Sequence, residues 1–199
     1  MRKKIFFFFN ILFIILLFSK VNASTIDPKD FIQTIVNDAK EILIATNTKE
    51  YKSVKLAEIA KEQVDIIGIG QYSIGKYRSK LTEDQKKEYN VLFEKYFLKS
   101  FTSRLSDYSD PKIKVISSEV INKNYTMVYS VLIATPQKPE VKINWRVYTK
   151  DLTNPKVRDL IIEGLSLART QKEEFSSIID NNSGDINSLF FKLEEFINN

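Results

Sequence analysis

Residues 125–133 read YTMVYSVLI and residues 141–148 read VKINWRVY. In the second stretch Val141, Ile143, Trp145 and Val147 alternate with Lys142, Asn144, Arg146 and Tyr148. That is the period of a strand with one dry and one wet face. The first stretch places Tyr125, Met127, Tyr129, Val131 and Ile133 on one face, with Val128 and Leu132 on the other. Upstream, after Pro111, Ile113 and Val115 alternate with Lys112 and Lys114; downstream, residues 157–163 form a further strand that ends at Gly164. The spacing predicts an antiparallel meander of four strands.

On both sides of these strands the apolar period is helical. Asp27-Pro28 is a helix start, Asp as N-cap and Pro at the first position. Phe31, Ile35, Ala39, Ile42 and Leu43 follow at helical spacing. Further helices are expected over residues 52–64 and 66–78. Thr82 and Gln85 form a capping box that opens a long helix. Its stripe is Tyr89, Leu92, Phe93, Tyr96, Phe97, Phe101 and Leu105. Two helices, over 165–180 and 185–197, finish the chain. Helices, then strands, then helices define an α+β domain.

The first 23 residues are set apart. Arg2, Lys3 and Lys4 precede an apolar run from Ile5 to Phe18, and Ala23 is a small residue before Ser24. This is the pattern of a cleaved secretory signal peptide, too short for a spanning helix. The expected division is therefore a signal peptide over 1–23 and one domain over 24–199. Removing the signal changes the charge. The whole chain is formally +5, but Arg2, Lys3, Lys4 and Lys20 leave without an acid, so 26 basic face 25 acidic residues. Nucleic-acid binding loses its basic footprint.

The chain has no His and no Cys. This excludes imidazole and thiolate metal ligands, Ser-His or Cys-His nucleophile pairs, and disulfides. Carboxylates remain. Asp159 and Glu163 share a strand face, but residues four apart on a strand sit roughly 13 Å apart, too far for a glycosidase pair. Gly68-Ile69-Gly70 fits no phosphate-loop spacing. The long helix and the sheet each have an apolar face and are expected to pack together. Between them, a filled core and a ligand pocket read the same in sequence.

Several segments, taken in order, resemble one family. Asp65-Ile66-Ile67-Gly68-Ile69-Gly70 followed by Ile74-Gly75-Lys76-Tyr77 is similar to the L-G-x-Y region of the MlaC-type (toluene-tolerance auxiliary) proteins. Thr82, Gln85, Tyr89 and Phe93 match that family's next helix. Val157-Arg158-Asp159-Leu160 and Glu163-Gly164-Leu165-Ser166-Leu167 resemble its V-Y-D-V and E-G-V-S-L runs, and 170–175 (TQKEEF) its T-Q-R-x-E-F version. Departures are Arg78 for an aromatic, Pro155 for a Trp and Arg158 for a Tyr.

The resemblance implies a periplasmic phospholipid carrier with no catalytic residue, metal or cofactor. Its implied partners are a phospholipid, an inner-membrane ABC transporter with an MCE-domain ring, and an outer-membrane lipoprotein–porin complex. The function implied is shuttling lipid between the two membranes and so maintaining outer-membrane lipid asymmetry. The pocket is then expected from Ile69, Ile74 and Tyr77, from Phe93 and Phe97, and from Val131, Ile133, Ile143, Val147 and Ile161. The residues themselves leave two other readings open, a small periplasmic hydrolase using Asp159 or Glu163 and a filled-core adaptor protein.

Overall fold

The computed structural model describes residues 24–106, 108–136 and 139–199; the signal peptide expected over 1–23 lies outside the described residues. Asp27 caps α1 (Pro28–Ile44) by accepting from the backbone N–H groups of Lys29 and Asp30. Thr48 caps α2 (Lys49–Gln63) and Asp65 caps α3 (Ile66–Ser73). The single helix expected over 66–78 is broken. Gly75, at φ +56°, turns the chain into a 3-10 helix over Gly75–Lys80. The Thr82/Gln85 capping box is formed and opens α4 (Glu83–Leu105).

The sheet contains β1 (Ile113–Asn122), β2 (Tyr125–Leu132), β3 (Val141–Tyr148), β4 (Lys156–Ile162) and β5 (Leu165–Ser166), in that order and all antiparallel. It has five strands where four were expected. The fifth arises because Glu163 (φ +49°) and Gly164 (φ +85°) both take positive φ, the requirement of a type I′ hairpin turn. That turn folds Leu165 and Ser166 back onto Ile162 and Ile161. Two residues carry no periodicity, so β5 leaves no pattern in the sequence. The following helix, α5 (Leu167–Asn181), starts two residues later than expected, capped by Ser166, and α6 (Asn187–Asn198) closes the chain.

Among the described residues β1 is a free edge, and its ladder with β2 is interrupted by register shifts between Val115 and Ser117 and between Val120 and Asn122. From Ile116 to Asn122 it is exposed, Val120 by 73%.

The apolar interior is divided. One cluster lies under α1: Phe31, Ile32, Ile35 and Val36 cover Val115, Val128, Val147 and Val157 of the sheet. The other is wholly helical and centres on Ile69, Ile74, Tyr89, Phe93, Phe175, Ile179 and Leu189. The long helix α4 packs mainly on α2, α3 and α6, while the sheet is covered by α1 and reached at β4 by α3 and α5. The expected direct packing of α4 on the sheet is thus replaced by two cores, because α3 and α6 take up the buried half of the α4 stripe.

Gly68 and Gly70 serve this packing. A Cβ on Gly70 would lie 2.7 Å from the Phe93 ring, and one on Gly68 would lie 2.4 Å from the Asp65 carboxylate. The Gly70 carbonyl also accepts the Tyr89 hydroxyl at 2.8 Å.

A seam joins the two cores at residues 64–65. Val64 packs against both clusters and bridges Val157 on the outer edge of β4. The Asp65 backbone N–H donates to the Val157 carbonyl, and its carboxylate accepts from the Gly68 N–H at 2.8 Å. The same carboxylate takes Nε and NH2 of Arg158 at 2.7 and 2.6 Å. The Arg158 guanidinium lies 3.8 Å from the Tyr148 ring centroid and donates to the Tyr125 hydroxyl.

Gly70→Ala forces its methyl into a filled contact and is expected to lower the unfolding free energy by about 1–3 kcal/mol, the usual cost of overpacking. Chemical denaturation measures this, and an unchanged midpoint would show that Phe93 yields at no cost.

Candidate functional site

The strand registers fix which side chains share a face. Val115 opposes Ser130, Ser130 opposes Ile143, Ile143 opposes Ile162 and Ile162 opposes Leu165, so one row crosses all five strands. On the same face Ile113, Leu132 and Val141 form a parallel row, and Val128, Trp145 and Leu160 form a third. α1 covers this face only in part. Along the five-strand row Val115 and Ser130 are buried, Ile143 and Ile162 are half-buried and Leu165 is 59% exposed.

The polar members of this face are neutralised locally. Ser130 donates to the Ile143 carbonyl at 2.7 Å and accepts the Trp145 indole N–H at 2.9 Å. Thr126 and Thr149 hydroxyls pair at 3.2 Å. With these bonds made, the face is effectively apolar from α1 to the β4–β5 turn.

A second half-covered apolar surface continues the α4 stripe. Tyr89 and Phe93 are buried in the helical core, whereas Phe97, Phe101 and Leu105 are half-buried. Phe97 and Phe101 stack at 5.8 Å between ring centroids with 10° between planes.

The ten expected pocket residues fall into four places. Ile69, Ile74, Tyr77 and Phe93 are buried in the helical core, and Phe97 packs on its border. Ile143 and Val147 share the sheet face under α1, with Val147 fully covered. Val131 and Ile161 align with Lys142 and Asn144 and therefore occupy the opposite face. Ile133 follows β2 and is exposed. Leu132, Leu160, Ile162 and Leu165 complete the half-covered face and were not among the expected pocket residues; their signal is the pairing register, which no single strand displays. Val141 and Trp145, also outside that set, share the face by the alternation of β3 itself.

Asp159 and Glu163 do not form a pair. Glu163 lies beyond β4 in the turn, where its carboxylate accepts the Lys142 backbone N–H. Asp159 is 3% exposed and fully engaged, accepting from Arg146 at 3.0 Å, the Ser166 hydroxyl at 2.6 Å and the Ala168 N–H at 3.0 Å. It fastens β3 and the start of α5 to β4.

At the far end of the helical half, the ring of Tyr77 is buried while its hydroxyl donates to Asp180, which also receives Lys76 at 3.1 Å. The Tyr77 hydrogen bond first, and then the one from Lys76, holds the Asp180 carboxyl below its ordinary pKa. Two open depressions, of about 520 Å³ at the α5–α6 junction and about 600 Å³ between α3 and α5, include none of the ten residues. Among the described residues no helix is long and apolar enough to cross a membrane.

A single antiparallel sheet, half covered on one face and flanked by a separate helical core, defines an α+β domain of open-faced type. The fold has a solved counterpart, a phospholipid-binding protein from Ralstonia solanacearum in complex with a phospholipid. The two superpose with a TM-score of 0.72 at 20% sequence identity, over 86% of this chain and 97% of that one. The MlaC protein family matches residues 30–195, and the chain belongs to that family. No curated protein sequence matches it.

Asp159→Ala is expected to cost about 2–3 kcal/mol of stability, because three donors lose a common acceptor and Arg146 can still turn to water. Thermal or denaturant unfolding checks this; a loss under about 0.5 kcal/mol would show that these bonds do not fasten the edge of the sheet. For Asp180 the sign follows from its lowered pKa. The folded chain binds this proton less readily than the unfolded chain, so the contribution is complete above the ordinary carboxylate pKa. It is lost as pH falls through the lowered value. Asp180→Asn should therefore flatten the acid limb of stability against pH, and an unaltered limb would refute the linkage.

Proposed function

We propose that the chain is a periplasmic phospholipid carrier of a lipid-asymmetry transport system, and that its acyl chains lie along the half-covered sheet face. The observation that carries this reading is the five-strand row from Val115 to Leu165, apolar in effect, buried at Val115 and Ser130, half-buried at Ile143 and Ile162 and exposed at Leu165. The half-buried Phe97–Phe101 pair offers a second apolar wall. Membership of the MlaC family and a fold shared with a phospholipid-binding protein support the same ligand class.

Physical chemistry agrees with such a role. Each buried methylene is worth about 0.8 kcal/mol, so a two-chain lipid with roughly 30 of them leaves a bilayer far too slowly unaided. A carrier needs apolar surface to replace the bilayer, and no nucleophile, metal or cofactor. The engagement of Asp159 in three hydrogen bonds favours a carrier over a carboxylate hydrolase. The division of the interior into two clusters favours it over a filled-core adaptor.

In this reading residues 1–23 direct export and are cleaved. The carrier receives and delivers lipid at an outer-membrane lipoprotein–porin complex and an inner-membrane ABC transporter with an MCE-domain ring.

Protein purified without detergent should yield phospholipid on organic extraction, identified by mass spectrometry. Ile143→Trp, on the half-covered face, should lower that occupancy several-fold with the unfolding midpoint little changed. Val131→Trp, on the opposite face, should leave it unaltered. Lipid-free protein that takes up none from vesicles would end the proposal, and the reverse ranking of the two variants would move the ligand to the other face.

A further inference from the structure

The 3-10 helix Gly75–Lys80 carries Lys76, Arg78 and Lys80 within six residues and no acid. Three-dimensional packing adds to it. Gly75 lies against Lys172 of α5, since a Cβ on the glycine would meet the lysine Cε at 3.0 Å. Arg169 stands three residues before Lys172 on the same helix and lines the same depression as Lys172 and Tyr72.

Aromatic rings hold the ammonium groups in place. Lys76 and Lys80 lie 5.1 and 5.3 Å from the centroid of Tyr77, and Lys172 lies 5.1 Å from that of Tyr72, itself 45% exposed. Two carboxylates belong to the patch. Asp180 is engaged by Tyr77 and Lys76, and Glu173 lines the depression. Among the described residues Arg78, Lys80, Arg169 and Lys172 form no ion pair with any carboxylate. Five cations (Lys76, Arg78, Lys80, Arg169 and Lys172) against two carboxylates (Glu173 and Asp180) make a local positive excess on a chain whose charges nearly cancel from residue 24 onward.

We infer that this surface is a docking site for a protein partner whose matching face is rich in Asp and Glu. Tyr72 and Arg169 are of the types enriched where proteins meet, and the lysines pre-positioned on rings surround them with positive charge that acidic side chains would complement. The patch has no exposed aliphatic side chain among these residues to enter a bilayer, which favours a protein over a lipid surface. Such complementarity acts mainly on encounter rate and selectivity and weakens with salt. The inference rests on the cationic surface alone and stands apart from whether the sheet face holds lipid.

An octaglutamate peptide titrated into the isotope-labelled purified protein at low ionic strength tests it. Amide shifts should concentrate at residues 72–80 and 169–176, leaving the exposed Lys112 and β1, with its exposed Lys114, unmoved. Affinity should fall at least tenfold between 20 and 200 mM salt, on the order of the loss expected when several ion contacts are screened. K80E/R169E should lose binding at least tenfold, and the milder K80Q/R169Q should lose less while unfolding at the wild-type midpoint. Shifts spread equally over β1, or a K80E/R169E variant that binds as wild type, would overturn the docking site. So would peptide-free behaviour coupled with patch-dependent binding to phosphatidylglycerol vesicles, which would assign the surface to lipid instead.

Discussion

The carboxylate of Asp65 is the constraint on which the rest of the molecule depends. One end of the sheet and the first turn of α3 meet at this group, which serves Gly68, Arg158 and, through its own backbone N–H, Val157. Two clusters of modest size do not each make a robust domain, because small cores leave little net stability after chain entropy is met. Joining them through Val64 and Asp65 lets each core stabilise the other while their apolar surfaces stay separate. Gly68 is then required in turn, since any side chain there would displace the carboxylate.

Much of this was legible from residue types. VKINWRVY announced a half-buried strand, the Thr82/Gln85 box located the start of α4, and Asp27-Pro28 located α1. The depth of each face was less legible. In YTMVYSVL the larger apolar residues Tyr125, Met127, Tyr129 and Val131 suggest the inner face, yet Thr126, Val128 and Ser130 are the buried ones. Register decides this, since those three oppose Val147, Trp145 and Ile143 beneath α1. Local hydrogen bonds make a threonine and a serine acceptable there, and a residue-by-residue scale of hydrophobicity cannot foresee them. The candidate site was hidden for the same reason: Ile162 and Leu165 join it through a turn whose two positive φ values only the fold reveals.

Arg158 shows how a departure from family pattern can be absorbed. A guanidinium would be costly if left unpaired at such a half-buried position. Here it rests on Tyr148, gives a hydrogen bond to Tyr125 and meets Asp65 through two nitrogens. Arg158 thereby ties β4 to the start of α3 and to the neighbouring strands at once.

The interrupted edge of β1 has a consequence for life at high concentration. A strand with an open side and exposed Ile116, Val120 and Ile121 offers a template on which other chains could assemble into cross-strand aggregates. The two register shifts leave Ser117, Ser118, Glu119 and Val120 as its one unbroken run between them. Four residues fall short of the usual strand of about five or six, and a carboxylate sits within them. An incoming strand therefore finds only a short ladder, and the bulged edge disfavours pairing with another chain despite its apolar side chains.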